Sequence, residues 1–133
     1  MLTLFTAPKA FRGHIGVIQS NALLSWLQLR PQCEVILFGD EEGVAEVATS
    51  LGIRHVPEVD CNEYGTPLIS SIFKIAQDVS NKQLVGYVNA DIILLSDFLA
   101  AIRQIKRRPF LLIGQRWDID LTEPVDFTNP QWE

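Results

Sequence analysis

The chain has 133 residues, 47% of them hydrophobic, and a net charge of −5 from 11 basic and 16 acidic side chains. That is enough apolar material for one domain with a real core, and too much for a disordered chain. The acidic balance speaks against a nucleic-acid binder, which usually carries a basic face, and no apolar run approaches the roughly 20 residues a membrane helix needs.

In chain order, residues 2–6 form a first apolar strand. Ile18, Ala22, Trp26 and Leu29 then recur on one face of a helix that Pro31 must end. Residues 34–38 are a short continuous apolar run of the kind found in buried strands. Val44, Val47, Ala48 and Leu51 follow at helical spacing, with Gly52 as the C-cap. Residues 53–56 read as a third strand. Thr66 is placed to cap the next helix and Pro67 to occupy its first position, with Ile69, Ile72, Phe73 and Ala76 as its buried stripe. Residues 84–88 read as a fourth strand. Ser96 and Asp97 open a helix running to about Arg107, and residues 110–113 read as a fifth strand. From Thr122 onward there are two prolines and no usable period.

This alternation predicts an α/β fold, a three-layer α/β/α sandwich with a mostly parallel sheet and right-handed crossovers. The expected domain is 1–121, followed by an irregular C-terminal tail, 122–133. No basic region followed by a long apolar stretch and a small-residue cleavage site opens the chain, so a cytoplasmic location is expected. Cys33 and Cys61 are too few and too far apart for a disulfide framework or a zinc site and are read as reduced thiols. Arg103, Lys106, Arg107 and Arg108 fall at the end of a helix, where cations offset the helix dipole.

Ligands of parallel sheets bind beyond the carboxyl ends of the strands. That rule selects four polar places. In the first loop, Lys9 and Arg12 are either phosphate contacts or solvated charges. The glycines there do not match a P-loop or a dinucleotide fingerprint, which excludes a Walker ATPase and an ordinary NAD domain. Asp40, directly after the second strand, either receives hydrogen bonds from a base or ribose or caps the following helix. Asn89-Ala90-Asp91 interrupts an apolar strand. With side chains alternating, an amide and a carboxylate would share one face there, and one aspartate suffices for a hard divalent ion whose other ligands are phosphate oxygens and water. Alternatively the triplet is a bulge with Asp91 bonded to backbone amides. In Arg116-Trp117-Asp118-Ile119-Asp120, one acid can act as a general base while Arg116 offsets diphosphate charge; otherwise this is a salt-bridged loop with Trp117 packed beneath it.

Taken in order, Phe5-Thr6-Ala7-Pro8-Lys9, Leu37-Phe38-Gly39-Asp40, the Asn62-to-Pro67 helix start, Tyr87 to Ile92, and Gly114 to Asp118 resemble a pattern in the GT-A-fold glycosyltransferases, the nucleotide-diphospho-sugar transferase superfamily. The pattern also resembles a little-characterised bacterial group of glycosyltransferase-like proteins. The resemblance implies a nucleotide-sugar donor, an unknown acceptor, and a manganese or magnesium ion. It implies that Pro8, Lys9 and Asp40 hold base and ribose, and that Asn89 and Asp91 stand at the Asp-x-Asp metal motif, with Asn89 in place of the first acid. Arg116 and Arg12 would meet the diphosphate, and Asp118 or Asp120 would activate the acceptor.

Full enzymes of that family continue well past a fifth strand, so a truncated or reduced donor-binding domain is an expectation here. A catalytically degenerate binding or assembly domain is the alternative. A sugar-nucleotide nucleotidyltransferase fits less well, because its glycine-rich, arginine-containing first loop is missing. Edge strands and Trp132 suggest a homo-oligomer.

Overall fold

In a computed structural model, which describes residues 2–133, the chain alternates strands and helices. The order is β1 (Leu2–Thr6), α1 (Gly13–Gln28), β2 (Glu34–Phe38), α2 (Val44–Leu51), β3 (Arg54–Val56), α3 (Ile69–Val79), β4 (Leu84–Tyr87) and α4 (Asp97–Gln104). The four strands form one parallel sheet in the order β3-β2-β1-β4. Among the described residues no helix is long and apolar enough to cross a membrane.

β1 is buried along its whole length because it is central and covered on both faces. Its side chains alternate between two cores. Leu2 and Leu4 join Val35 and Leu37 of β2 beneath Leu23 and Trp26 of α1, Val44 and Ala48 of α2, and Leu99 of α4. Phe5 faces the other way and meets Ile36, Phe38, Ile72 and Ala76. Its ring packs edge-on against Phe38, Phe73 and Tyr87 at centroid distances of 6.0, 4.9 and 5.8 Å. Helices α1, α2 and α4 therefore cover one face and α3 the other, which makes three layers.

α2 follows its sequence signals closely. Gly52 takes the left-handed C-cap position at φ 65°, and its N–H bonds the Thr49 carbonyl at 3.3 Å. Gly43, before the helix, is also left-handed at φ 84°, and a Cβ there would sit 2.9 Å from Phe11 Cβ. Gly43→Ala is accordingly expected to destabilise the fold by about 1–2 kcal/mol, read as a lower urea midpoint with an unchanged slope.

Several expectations are corrected. The fifth strand does not form: residues 110–113 lie outside the sheet, with Leu111 and Ile113 85% and 82% exposed. A short apolar run reads alike whether or not a strand edge lies within its reach. α3 begins at Ile69, with Leu68 at the N-cap, so Thr66 does not cap it. The Thr66 N–H is taken by Asn62 Oδ1 and its carbonyl by the Asn62 N–H, both at 2.9 Å, which locks Thr66 into a turn. α4 ends at Gln104, so Lys106, Arg107 and Arg108 lie beyond the helix. α4 starts at Asp97 with Ser96 at its N-cap, as expected, but Ser96 makes no side-chain cap bond; its N–H and Oγ bond the Glu133 carboxylate at 3.1 and 2.7 Å. Trp132 is half-buried and packs edge-on against Phe127 at 4.8 Å.

The tail beyond Thr122 has no helix or strand, yet it is tied to the body. Asn21 of α1, 1% exposed, donates from Nδ2 to the Glu123 carbonyl and accepts the Val125 N–H at Oδ1, both at 2.9 Å.

Candidate functional site

A cleft of about 270 Å³ opens beyond the carboxyl ends of β1 and β4. Ala7 and Lys9 from the first loop form one wall and Ile15, Ile18 and Gln19 of α1 another. Tyr87, at the end of β4, and the Asn89-Ala90-Asp91 turn close it. Lys9, Asn89 and Asp91 thus bring a cation, an amide and a carboxylate together at one hollow.

The local chain path follows from hydrogen bonding. β4 stops after Tyr87, although the Val88 N–H still reaches the Phe5 carbonyl at 3.1 Å. The Ile92 N–H then bonds the Asn89 carbonyl at 3.1 Å, so residues 89–92 form a tight turn. The strand-like alternation expected for Asn89 and Asp91 is therefore corrected: they reach the same cleft by way of a turn, with Ala90 buried between them. α1 holds that turn from behind. Trp26 Nε1 donates to the Ile92 carbonyl at 2.8 Å, and Ser25 Oγ accepts the Leu94 N–H at 3.0 Å.

On the opposite wall, Gln19 pairs with the Lys9 backbone. Its Oε1 accepts the Lys9 N–H at 2.8 Å and its Nε2 donates to the Lys9 carbonyl at 2.9 Å. Gln19 is 3% exposed and Lys9 is exposed, so a buried amide fixes the backbone while the ammonium stays free for solvent or ligand. Gln19 was not among the expected site residues. Its signal was a polar side chain within the helical apolar stripe of Ile15, Ile18, Ala22 and Trp26.

Asp91 is exposed and carries no hydrogen bond or ion pair among the described residues, so the alternative reading of the triplet, a bulge with Asp91 bonded to backbone amides, does not hold. Its charge is felt nearby. Burial, and then the Asp91 carboxylate, raises the Tyr87 phenol above its ordinary value. The Arg116 guanidinium is raised chiefly by its hydrogen bond to Asp118 and by that carboxylate's charge, and more weakly by Asp91.

The other expected residues stand apart from the lining. Pro8 is buried beneath the first loop. Arg12 is ion-paired with Glu42. Asp40 is exposed beyond β2 and does not cap α2, whose N-cap has no side-chain bond. Asp118 is held by Arg116 at 2.8 Å, while Asp120 is exposed. Trp117 is not packed beneath that ion pair but is 95% exposed.

No group of three or more His, Cys, Asp or Glu side chains among the described residues is arranged to hold a metal ion. Asp91 and Asn89, through their side-chain oxygens, can offer two hard donors at the cleft. They suit a magnesium-like ion that takes most of its ligands from phosphate and water, and they do not suit a cation caged by protein.

A larger hollow of about 420 Å³ lies at the opposite end of the sheet, beside Cys33, Glu34, Arg54 and Lys82. Its arginine is already committed to Glu34 at 3.6 Å and to the Val79 carbonyl at 2.6 Å. Size favours that hollow. Its place at the amino ends of the strands, and its committed arginine, make it the weaker candidate. No protein-family model, curated protein or solved structure matches the chain.

Proposed function

We propose that the carboxyl-end cleft binds a nucleoside-diphosphate sugar, and that the chain is a GT-A-like glycosyltransferase or the donor-binding domain of one. The observation that carries this reading is the convergence of Lys9, Asn89 and Asp91 on one cleft beyond β1 and β4. The ordered sequence resemblance had assigned these residues to donor and metal. Lys9 would offset diphosphate charge, with its backbone held by Gln19. Asn89 would meet the ribose or a phosphate oxygen. Asp91, with the Asn89 side-chain oxygen, would hold a divalent cation, and that ion, when bound, would neutralise charge on the leaving diphosphate.

The cleft's volume lies just below the usual range for small-molecule sites, so it would enclose only part of such a donor. The remainder would run across the carboxyl end of β2 toward Asp40. Arg116 would supply a second positive charge at the mouth. Of the two candidate bases, Asp118 is engaged by Arg116, which leaves Asp120 the freer carboxylate to take a proton from an acceptor hydroxyl.

One observation favours a second reading, a binding domain without turnover: among the described residues no three-ligand cluster backs Asp91. Calorimetry with UDP- and GDP-sugars, with and without manganese, tests the shared claim. Binding is expected to strengthen with the ion and to weaken at least about tenfold, or about 1.4 kcal/mol, in Asp91→Ala. No binding to the wild-type chain would sink the donor site. Unchanged binding in Asp91→Ala would sink the metal-bridged version. Tight binding without sugar transfer or hydrolysis selects the second reading.

A further inference from the structure

We propose that residues 103–117 dock the protein on an anionic lipid surface, with the cations at the headgroups and the apolar side chains just beneath them. Between Asp97 and Asp118 there is no acidic residue, yet five of the chain's eleven basic residues fall there. The rest of the chain has six basic and sixteen acidic residues, a net of −10. Four of the five cations, Arg103, Lys106, Arg107 and Arg108, lie within six residues of one another. The dipole of α4 accounts for few of them: the helix stops at Gln104, so only Arg103 sits in its last turn. All four are exposed, and none is in an ion pair among the described residues. Arg116, by contrast, is spent on Asp118.

Exposed apolar side chains follow directly. Leu111, Ile113 and Trp117 are 85%, 82% and 95% exposed, and Leu112 is exposed between them. Arg108 stands three residues before Leu111, so their backbones lie within about 11 Å. Exposed apolar groups gathered in one place mark an interaction surface, and here their neighbours say what kind. Cations beside aliphatic residues and a tryptophan suit a surface that is negative outside and apolar beneath. A nucleic acid would engage the cations and stack on Trp117 but leave Leu111, Leu112 and Ile113 in water. A folded acidic partner would need a fixed shape to fit. A fluid lipid surface does not, and from Lys106 to Leu121 the backbone makes no hydrogen bond within the chain among the described residues. Those unpaired backbone groups cannot enter hydrocarbon, so the segment would lie among the headgroups with only its side chains descending.

The acidic remainder of the chain does not forbid this contact. Repulsion from distant charges is screened beyond roughly 8 Å in physiological salt, whereas cations at the surface act at full strength. Asp97, and Glu133 on Ser96, stand at the start of α4, about 11 Å along its axis from Gln104. The same repulsion orients the molecule, turning this segment toward the lipid and the acidic remainder away.

Co-sedimentation of the full chain with lipid vesicles tests this. Binding is expected to phosphatidylcholine vesicles carrying about one-third phosphatidylserine, to weaken in high salt, and to fall at least about tenfold on phosphatidylcholine alone. Trp117 emission should shift to the blue on binding, and Trp117→Phe should remove that shift. Arg107→Gln with Arg108→Gln should weaken binding by about tenfold or more. Leu111→Ser with Ile113→Ser should do the same while leaving every charge in place. All four side chains are exposed, so circular dichroism should report an unchanged fold. A wild type that ignores the anionic vesicles overturns the proposal, as does binding indifferent to Leu111→Ser with Ile113→Ser. A single-stranded oligonucleotide bound as tightly as the vesicles would also overturn it, marking a patch for polyanions in general.

Discussion

Trp26→Ala is expected to lower stability by about 3–5 kcal/mol in urea unfolding, the loss typical of a large buried aromatic truncated to a methyl group. Whole domains of this size have only about 5–15 kcal/mol to lose, so this one substitution brings the chain near unfolding. The indole is fully buried in the core beneath α1, against the side chains of β1, β2 and α4. It also carries a hydrogen bond from Nε1 to the Ile92 carbonyl at 2.8 Å. Trp26→Phe separates the two roles. It keeps most of the apolar contact, forfeits the hydrogen bond and leaves a partly buried carbonyl unpaired, a loss of about 1–3 kcal/mol. Because Ile92 closes the turn that presents Asn89 and Asp91, the phenylalanine variant should also loosen the cleft. Faster amide exchange in residues 89–94, in a protein that remains folded, is the measurement. Exchange raised uniformly across the sheet would show that Trp26 acts only as core.

The parts of this fold legible in the sequence are those fixed by apolar periodicity and by residues with few conformational options. Residues 35–38 of β2 are a continuous apolar run because the sheet buries both faces, and Gly52 ends α2 because a left-handed cap favours glycine. Residues 110–113 were misread for the same reason that β2 was read correctly. An apolar run carries no information about whether a strand edge is available to it. Thr66 has the chemistry of a cap, but Asn62 binds its backbone N–H and carbonyl into a turn ahead of the helix, and Ser96 stands at the N-cap of α4 with its hydroxyl given to Glu133, contacts that no local rule anticipates.

The candidate site was legible through a topological rule more than through any motif. Polar residues at strand ends marked Lys9, Asn89 and Asp91, which share a cleft, but equally marked Arg12, Asp40 and Asp118, which do not line it. Whether a loop charge turns inward depends on competing partners, and Glu42 takes Arg12 while Arg116 takes Asp118. The buried polar residues of α1 are the larger omission. Gln19, Asn21 and Ser25 interrupt an apolar helix, and each bonds the backbone of a different segment: the first loop, the tail and the chain after the turn. The helix thereby fixes both walls of the cleft, although it supplies none of the cleft's charges.

Gln19→Leu tests that inference most directly, with an expected loss of about 2–3 kcal/mol from two hydrogen bonds and the partial desolvation of the Lys9 peptide groups. Leucine matches the apolar surroundings, so lost packing contributes little and the deficit reports the clamp. Gln19→Glu sharpens the test. At neutral pH the introduced carboxylate still accepts the Lys9 N–H but cannot donate to the Lys9 carbonyl, and it sets a negative charge against that oxygen. Burial and the carbonyl both favour its neutral form, so its folded-state pKa should lie above the unfolded value. The variant should therefore approach wild-type stability below the ordinary carboxylate range and fall away as pH rises through the folded-state pKa. Urea midpoints of the two proteins, measured side by side from acid to neutral pH, read this gap. If Lys9 contacts the donor, weaker nucleotide-sugar binding should accompany the stability loss in Gln19→Leu, while Lys9→Ala should weaken binding with little change in stability, since its exposed side chain takes no part in the clamp. A constant gap between Gln19→Glu and wild type across that pH range would mean that the charge on residue 19 is not felt at the Lys9 carbonyl, and would overturn the expected raised pKa.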